Sequence, residues 1–254
     1  MIATTPHPWW STEIKGSYNV INSYVQADNL VEFNDSVTLT TQGSFEFLYH
    51  AENLCLRWDG PVSVAVYAPG DDFKVSLQII YFLRTCRDPC VRKNVTWHFV
   101  FDSVYGPPLT NLPYPESIGT NDPSLLNCSL SNDELPQYFK SNFKAEHKNP
   151  YPINVVRNVA RTQSRTRYVL ASDIELYPSI NVVSMFKNML EREENNLVPL
   201  AKKDIPHVYV LPIFEVKSGL LPPSTKTELM AMIKKGTLTI KKIMFIYRCC
   251  FTYI

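Results

Sequence analysis

Two carboxylates stand close together in Tyr168–Ser179, YVLASDIELYPS: Asp173 and Glu175, with one isoleucine between them. An apolar run, Tyr-Val-Leu-Ala, leads into them and a Tyr-Pro follows. In an extended segment residues i and i+2 point the same way, so both acids can face one site. A cation between them relieves their repulsion. Hard divalent ions such as Mg²⁺ or Mn²⁺ take carboxylate oxygens and leave positions for phosphates. The pattern predicts a metal bound to a nucleotide diphosphate. Most acid-X-acid triplets are solvated loop charges; the apolar strand ahead of this one sets it apart.

The segment before it, YPINVVRNVARTQ, carries a second candidate set. At about 100° per residue, Ile153, Val155, Val156, Val159 and Ala160 cover one side of a helix. Asn154, Arg157, Asn158 and Arg161 fall on the other, spaced i, i+3, i+4 and i+7. Two amides and two guanidiniums leading into an acidic strand tip suit a diphosphate or a ribose. A plain solvated face is the competing reading and is preferred for Arg161; Arg157 is the better candidate. The five histidines form no cluster, and no glycine-rich phosphate loop, nucleophile elbow or zinc-protease helix is present.

The elements that must hold these groups alternate. VSVAVYAP (Val62–Pro69) reads as a strand ended by Pro-Gly-Asp, and DDFKVSLQIIYFLRTC as a helix. VTWHFVFDS (Val95–Ser103) is a second buried strand, and Tyr168–Ala171 a third. INVVSMFKNMLEREENN forms an amphipathic helix, HVYVLPIFEV (His207–Val216) a strand, and TKTELMAMIKKG a short helix. A proline-rich passage from Gly106 to Pro150 reads as loop with short helices at most. Alternation of this kind predicts an α/β fold with one mainly parallel sheet. Ligands of such sheets gather beyond the carboxyl ends of the strands, where Asp173 and Glu175 would stand.

The bulk numbers are those of a globular chain: 254 residues, 45% hydrophobic and 19% charged, with a net charge of +1. No global field recruits nucleic acid or an anionic membrane. Six cysteines (55, 86, 90, 128, 249 and 250) leave disulfides in an oxidising compartment, buried thiols and, less readily, a metal site open, with no connectivity deducible. Three Asn-X-Ser/Thr triplets, at Asn34, Asn94 and Asn127, permit a secretory route. About two or three would arise by chance in this composition. The sequence holds no run of about 20 apolar residues and no signal-peptide pattern at its start.

Four runs in order, WDGPVSVAVYAPGDD, NPYPINVVRNVAR, YVLASDIELYPS and VYVLPIFEVKSGLLPPSTKTEL, resemble glycosyltransferase family 49, whose members include β-1,4-glucuronyltransferases. The resemblance spans about Val37 to Gly236. It implies a GT-A nucleotide-diphospho-sugar transferase fold, with Asp-Ile-Glu standing where the family has its acid-X-acid motif. By motif position it makes Asp173 and Glu175 metal and donor residues, and Arg157 of the helix stripe is the further candidate for the UDP-sugar. Ala68 and Pro69 would lie against the nucleotide, and Glu215 would be a sugar contact or the general base. It further implies Mn²⁺ as cofactor, UDP-glucuronate as donor and a xylose-terminated glycan on a glycoprotein as acceptor. The transfer would be inverting and on the lumenal side of the Golgi membrane, with no nucleic-acid partner and an anchor that this sequence does not contain.

Two departures stand out. The second acid is Glu where the glucuronyltransferase has Asp, and no histidine follows His207. The resulting expectation is a lead-in segment over 1–36, a donor-binding GT-A domain over 37–236, and an atypical tail over 237–254. The fold would then be cut short at its C-terminus and the chain weakly active or inactive. A non-catalytic sugar-nucleotide or glycan-binding relative is the alternative.

Overall fold

A computed structural model describes residues 9–29, 36–107, 109, 112, 115, 127–132, 134–141, 143–147, 149–194 and 208–248. Runs of β-branched and aromatic residues pair where they alternate or are wholly apolar. β3 (Val37–Gly43), β4 (Val62–Tyr67), β5 (Val95–Asp102) and β6 (Tyr168–Ala171) run parallel in the order β5-β4-β3-β6. Every residue of β3 and β4 is buried, as expected of central strands covered on both faces.

Antiparallel strands widen this parallel centre on both sides. β1 (Ser11–Lys15) and β2 (Tyr18–Val25) join beside β5. β8 (Leu238–Arg248) joins beside β6, and β7 (Val208–Val216) pairs with β8 at the end of the strand order. The sheet is therefore mixed rather than mainly parallel. It also extends past both expected boundaries: β1 and β2 lie within 1–36, and β8 lies within 237–254. The edge of β6 is covered by β8, which enters the sheet between β6 and β7.

Side-chain alternation along β4 divides the interior. Val62, Val64 and Val66 face a large core with Leu54, Trp58, Ile80 and Phe82, whereas Ala65 and Tyr67 face a smaller one with Val156, Val159 and Ala160. The large core is closed by α1 (His50–Trp58), α2 (Asp72–Cys86), α3 (Pro89–Asn94) and α7 (Val182–Glu194). The other face is closed by α6 (Ile153–Thr162). Two short helices, α4 (Leu135–Tyr138) and α5 (Phe143–His147), lie in the proline-rich passage, and α8 (Lys226–Lys234) lies in the β7–β8 connection. After β4 the chain turns at Gly70, whose φ of +56° suits glycine, and a Cβ there would stand 2.2 Å from the Phe143 ring.

Two disulfides decide the cysteine question for the described residues. Cys55 pairs with Cys90, tying α1 to α3, and Cys86 with Cys128, tying the end of α2 to the segment after residue 126. Each closes a loop of 35 or 42 residues. Chain-entropy reasoning gives such loops about 3–4 kcal/mol apiece. Cys249 and Cys250 lie outside the described residues.

His98, in mid-strand, is a structural residue. Its Nδ1 accepts from the Ser23 N–H at 2.8 Å, and its Nε2 lies 3.0 Å from Ser63 Oγ, which itself donates to the Ala160 carbonyl at 2.7 Å. These contacts fix the neutral Nε2–H tautomer and join β2, β5, β4 and α6.

Candidate functional site

Three segments meet beyond the carboxyl ends of β3 and β6. The parallel ladder between these strands runs one residue past β6, with Ser172 N–H donating to the Thr40 carbonyl at 2.9 Å. The chain then turns, and Leu176 N–H bonds the Asp173 carbonyl at 3.0 Å. Asp173 and Glu175 thus belong to a turn, not to the extended strand end that their spacing suggested. The isoleucine between them explains how the turn is held. Ile174 is 2% exposed and packs into the large core, while Asp173 is partly open and Glu175 exposed.

Arg157 is presented by the polar face of α6. Its Nη2 meets Asp173 Oδ1 at 2.5 Å, and the two side chains are 44% and 40% exposed. The same oxygen accepts from Gln42 Nε2 at 2.9 Å, at the end of β3. The stripe Asn154, Arg157, Asn158 and Arg161 is exposed as its periodicity predicts, but Ile153, assigned to the apolar side, is 41% exposed. Within that stripe, Arg157 bonds the acid turn directly.

Tyr151, just before α6, senses the whole group. Burial holds its hydroxyl well above the usual phenol range; Arg157 pulls the other way, and Asp173, Glu175 and Glu46 add to the rise. Glu46 comes from the 3₁₀ turn Phe45–Phe47 that follows β3. The Tyr151 hydroxyl is buried with no hydrogen-bond partner among the described residues, and its ring packs edge-on against Tyr67 at 5.6 Å. Tyr67 donates to Asp102 Oδ2 at 2.7 Å, and Asn149 Nδ2 reaches the same oxygen at 3.2 Å.

Behind the turn, α1 holds the chain that follows it. His50 Nδ1 and the Tyr177 hydroxyl are 2.5 Å apart. Arg57 Nε donates to the Pro178 carbonyl at 2.7 Å and Nη2 to the Pro223 carbonyl at 2.8 Å. Arg57 therefore joins the acid turn's exit to the β7–β8 connection. Burial lowers the pKa of its guanidinium, with a smaller opposing influence from Tyr177.

The remaining sequence candidates separate. Ala68 and Pro69 are both buried at the end of β4, with the Ala68 N–H bonded to the Val100 carbonyl at 2.9 Å. Glu215 is not brought to Asp173. Register through β8 sets Val210 level with Ala171, so Glu215 lies five residues further along β7, two strands across. At about 3.3 Å per residue, that is roughly 16 Å beyond the tip of β6. His207 lies outside the described residues. Gln42, Glu46, Tyr151 and Arg57 were missed because no motif marks them; the TTQGS end of β3 was the one local signal, a strand closing on glycine. Among the described residues no group of three or more His, Cys, Asp or Glu side chains could hold a metal ion.

A family model described as "Glycosyl-transferase for dystroglycan" matches residues 36–252, which takes in β8. Beta-1,4-glucuronyltransferase 1 of Danio rerio is 31% identical over 203 residues, 79% of this chain and 44% of the relative. Its Homo sapiens namesake is 26% identical over 226 residues, 88% of this chain and 50% of the relative. Xylosyl- and glucuronyltransferase LARGE2 of Mus musculus is 26% identical over 203 residues, 80% of this chain and 22% of the relative. The chain thus spans about half the length, or less, of these curated relatives. With the family match running through the acid turn and across most of the sheet, the chain belongs to the family of glycosyl-transferases for dystroglycan.

Proposed function

We propose that this chain carries the donor-binding part of a glucuronyltransferase. The reaction is inverting transfer of glucuronate from UDP-glucuronate to a xylose-terminated glycan on a glycoprotein, in the Golgi lumen. One observation carries the reading: Asp173, Arg157 and Gln42 meet at the carboxyl end of β6, with Glu175 exposed beside them. Family membership supplies the reaction class, and the relatives named as glucuronyltransferases supply the donor.

The donor set fits a hard divalent cation. Asp173 keeps Oδ2 outside its bonds to Arg157 and Gln42, and the Glu175 carboxylate is exposed. Ions of the Mg²⁺ type take one or two protein carboxylates and complete their shell with substrate phosphates and water. Asp173 and Glu175 would hold the ion. When bound, Mn²⁺ would neutralise the charge on the departing diphosphate.

The chain's own groups have separable tasks. Gln42 fixes the orientation of the Asp173 carboxylate, and Ile174 anchors the turn between the two acids. Arg157 pairs with Asp173, and a diphosphate would offer its guanidinium a second, bidentate acceptor. Arg57 keeps Pro178 and the Pro223 loop in place behind the turn.

Calorimetry tests the reading. UDP should bind more tightly with Mn²⁺ than with EDTA, and Asp173→Asn should abolish the difference. Metal-independent UDP binding would contradict the metal assignment. Affinity for a xyloside with none for UDP would favour a glycan-binding role. Competition among UDP-sugars identifies the donor.

A further inference from the structure

Three Asn-X-Ser/Thr triplets are not used by the donor site, and the structure separates them. Asn34 lies outside the described residues. Asn94 is the last residue of α3, and the fully buried Val95 then opens β5. Asn94 Oδ1 accepts from Asn29 Nδ2 at 3.1 Å, and Thr96 Oγ1 accepts from the Ala27 N–H at 3.2 Å. That triplet is folded into the sheet.

Asn127, Cys128 and Ser129 are all exposed. The Ser129 hydroxyl and N–H both donate to Asn127 Oδ1, at 2.5 and 3.3 Å, and the Leu130 N–H reaches the Asn127 carbonyl at 3.4 Å. These bonds turn Oδ1 toward the chain and leave Nδ2 unengaged among the described residues. Arg87 holds the segment from behind through the Leu130 and Cys128 carbonyls. The Cys86–Cys128 disulfide passes through the middle of the triplet, and disulfides belong to the oxidising compartments in which asparagine is glycosylated.

We propose that Asn127 is an N-glycosylation site. In the reaction Asn127 Nδ2 attacks the anomeric carbon of an oligosaccharide carried on a lipid pyrophosphate, the co-reactant of the cell's oligosaccharyl transferase. The new C–N bond forms as the bond from that carbon to the pyrophosphate oxygen breaks. The lipid pyrophosphate leaves with the electron pair, and Nδ2 gives up one proton. Because α2 runs back from the carboxyl ends of the strands, Cys86 and its partner Cys128 lie toward the opposite, amino edge of the sheet. A glycan at Asn127 therefore projects away from Asp173.

Secretion of the chain from mammalian cells behind a cleavable signal tests this. Peptide-N-glycosidase F should sharpen and speed the band, and mass spectrometry should find Asn127 converted to aspartate in the digested peptide. Asn127→Asp, which keeps an oxygen for Ser129, should remove that glycan, as should Ser129→Ala. Ser129→Thr should retain it, and Asn94→Asp should leave it untouched. UDP affinity should be the same with and without the glycan. An unmodified Asn127 peptide in secreted, disulfide-bonded protein would overturn the proposal, as would occupancy of Asn94 in preference to Asn127.

Discussion

Arg157 and Asp173 meet at 2.5 Å across 16 residues of sequence, one from the polar face of a helix and the other from the turn ending the neighbouring strand. Both side chains are nearly half exposed, so the pair itself contributes at most about 1 kcal/mol to folding. Its importance is positional. It sets a guanidinium at the acid turn, where the proposed function puts the diphosphate of a sugar-nucleotide.

Arg157→Ala should therefore leave stability within about 1 kcal/mol of the parent. It should weaken UDP binding about tenfold, the loss expected of one charge-assisted contact. Arg161→Ala, on the same exposed face one turn further along α6, should change affinity less than twofold, roughly the scatter of a surface substitution. Calorimetry and urea denaturation of both variants check the contrast. Equal effects at the two positions would reduce the pair to surface decoration.

Arg57 behaves differently because its bonds are partly buried and tie two loops together. Arg57→Ala should cost about 1.5–3 kcal/mol, the range for hydrogen bonds from a charged donor. Arg57→Lys should recover only part of this, since an ammonium cannot reproduce the planar fork that reaches both Pro178 and Pro223. Denaturation midpoints of the three proteins decide. An alanine variant as stable as the parent would show that α1 does not hold the exit of the acid turn.

Much of this was legible in the sequence, and the reason is periodicity. β4, β5, β6 and α6 carry apolar residues at the spacing of their own element, so each is visible locally, and the Arg157 stripe follows from α6. β3, VTLTTQG, hides its strand character behind threonines, and β1 is largely polar. β8 was missed because its partner β7 is separated from it by a loop and a helix, so no turn signal announces the hairpin. The bond from Gln42 to Asp173 and the placing of Tyr151 arise only when the sheet brings distant strand ends together. The acid-X-acid motif was found with incomplete geometry: extension was assumed, whereas a buried Ile174 and a turn present the two carboxylates.

Tyr151 gives a test in which loss of a polar group should not harm the fold. A buried hydroxyl without a partner costs about 1–3 kcal/mol. Tyr151→Phe removes that cost and keeps the ring packed on Tyr67. The variant should be as stable as the parent or more so. A loss above about 1 kcal/mol in ligand-free protein would mean that an internal water already satisfies the hydroxyl.

His98 makes a prediction about acid stability. The imidazole is 1% exposed, and burial pushes its pKa down from 6.5 to about 3. Its neutral form is also the one that its neighbours accept, because Nδ1 receives the Ser23 N–H and a proton there would face that donor. The folded protein thus binds this proton only near pH 3, whereas the unfolded chain binds it near pH 6.5. Between those values the unfolded state holds the extra proton, so stability falls as pH falls, by up to about 1.4 kcal/mol per pH unit. Above about pH 7 the group should have no effect on the slope. His98→Gln, unable to titrate, should be less stable than the parent at pH 7.5 because it disturbs the Ser23 and Ser63 bonds. The difference should narrow steadily as pH is lowered to 5, while contributions from the other histidines and the acids cancel between the two proteins. Urea denaturation at pH 7.5, 6.0 and 5.0 measures it, and a difference that stays constant or widens on acidification would mean that His98 protonates readily in the folded state.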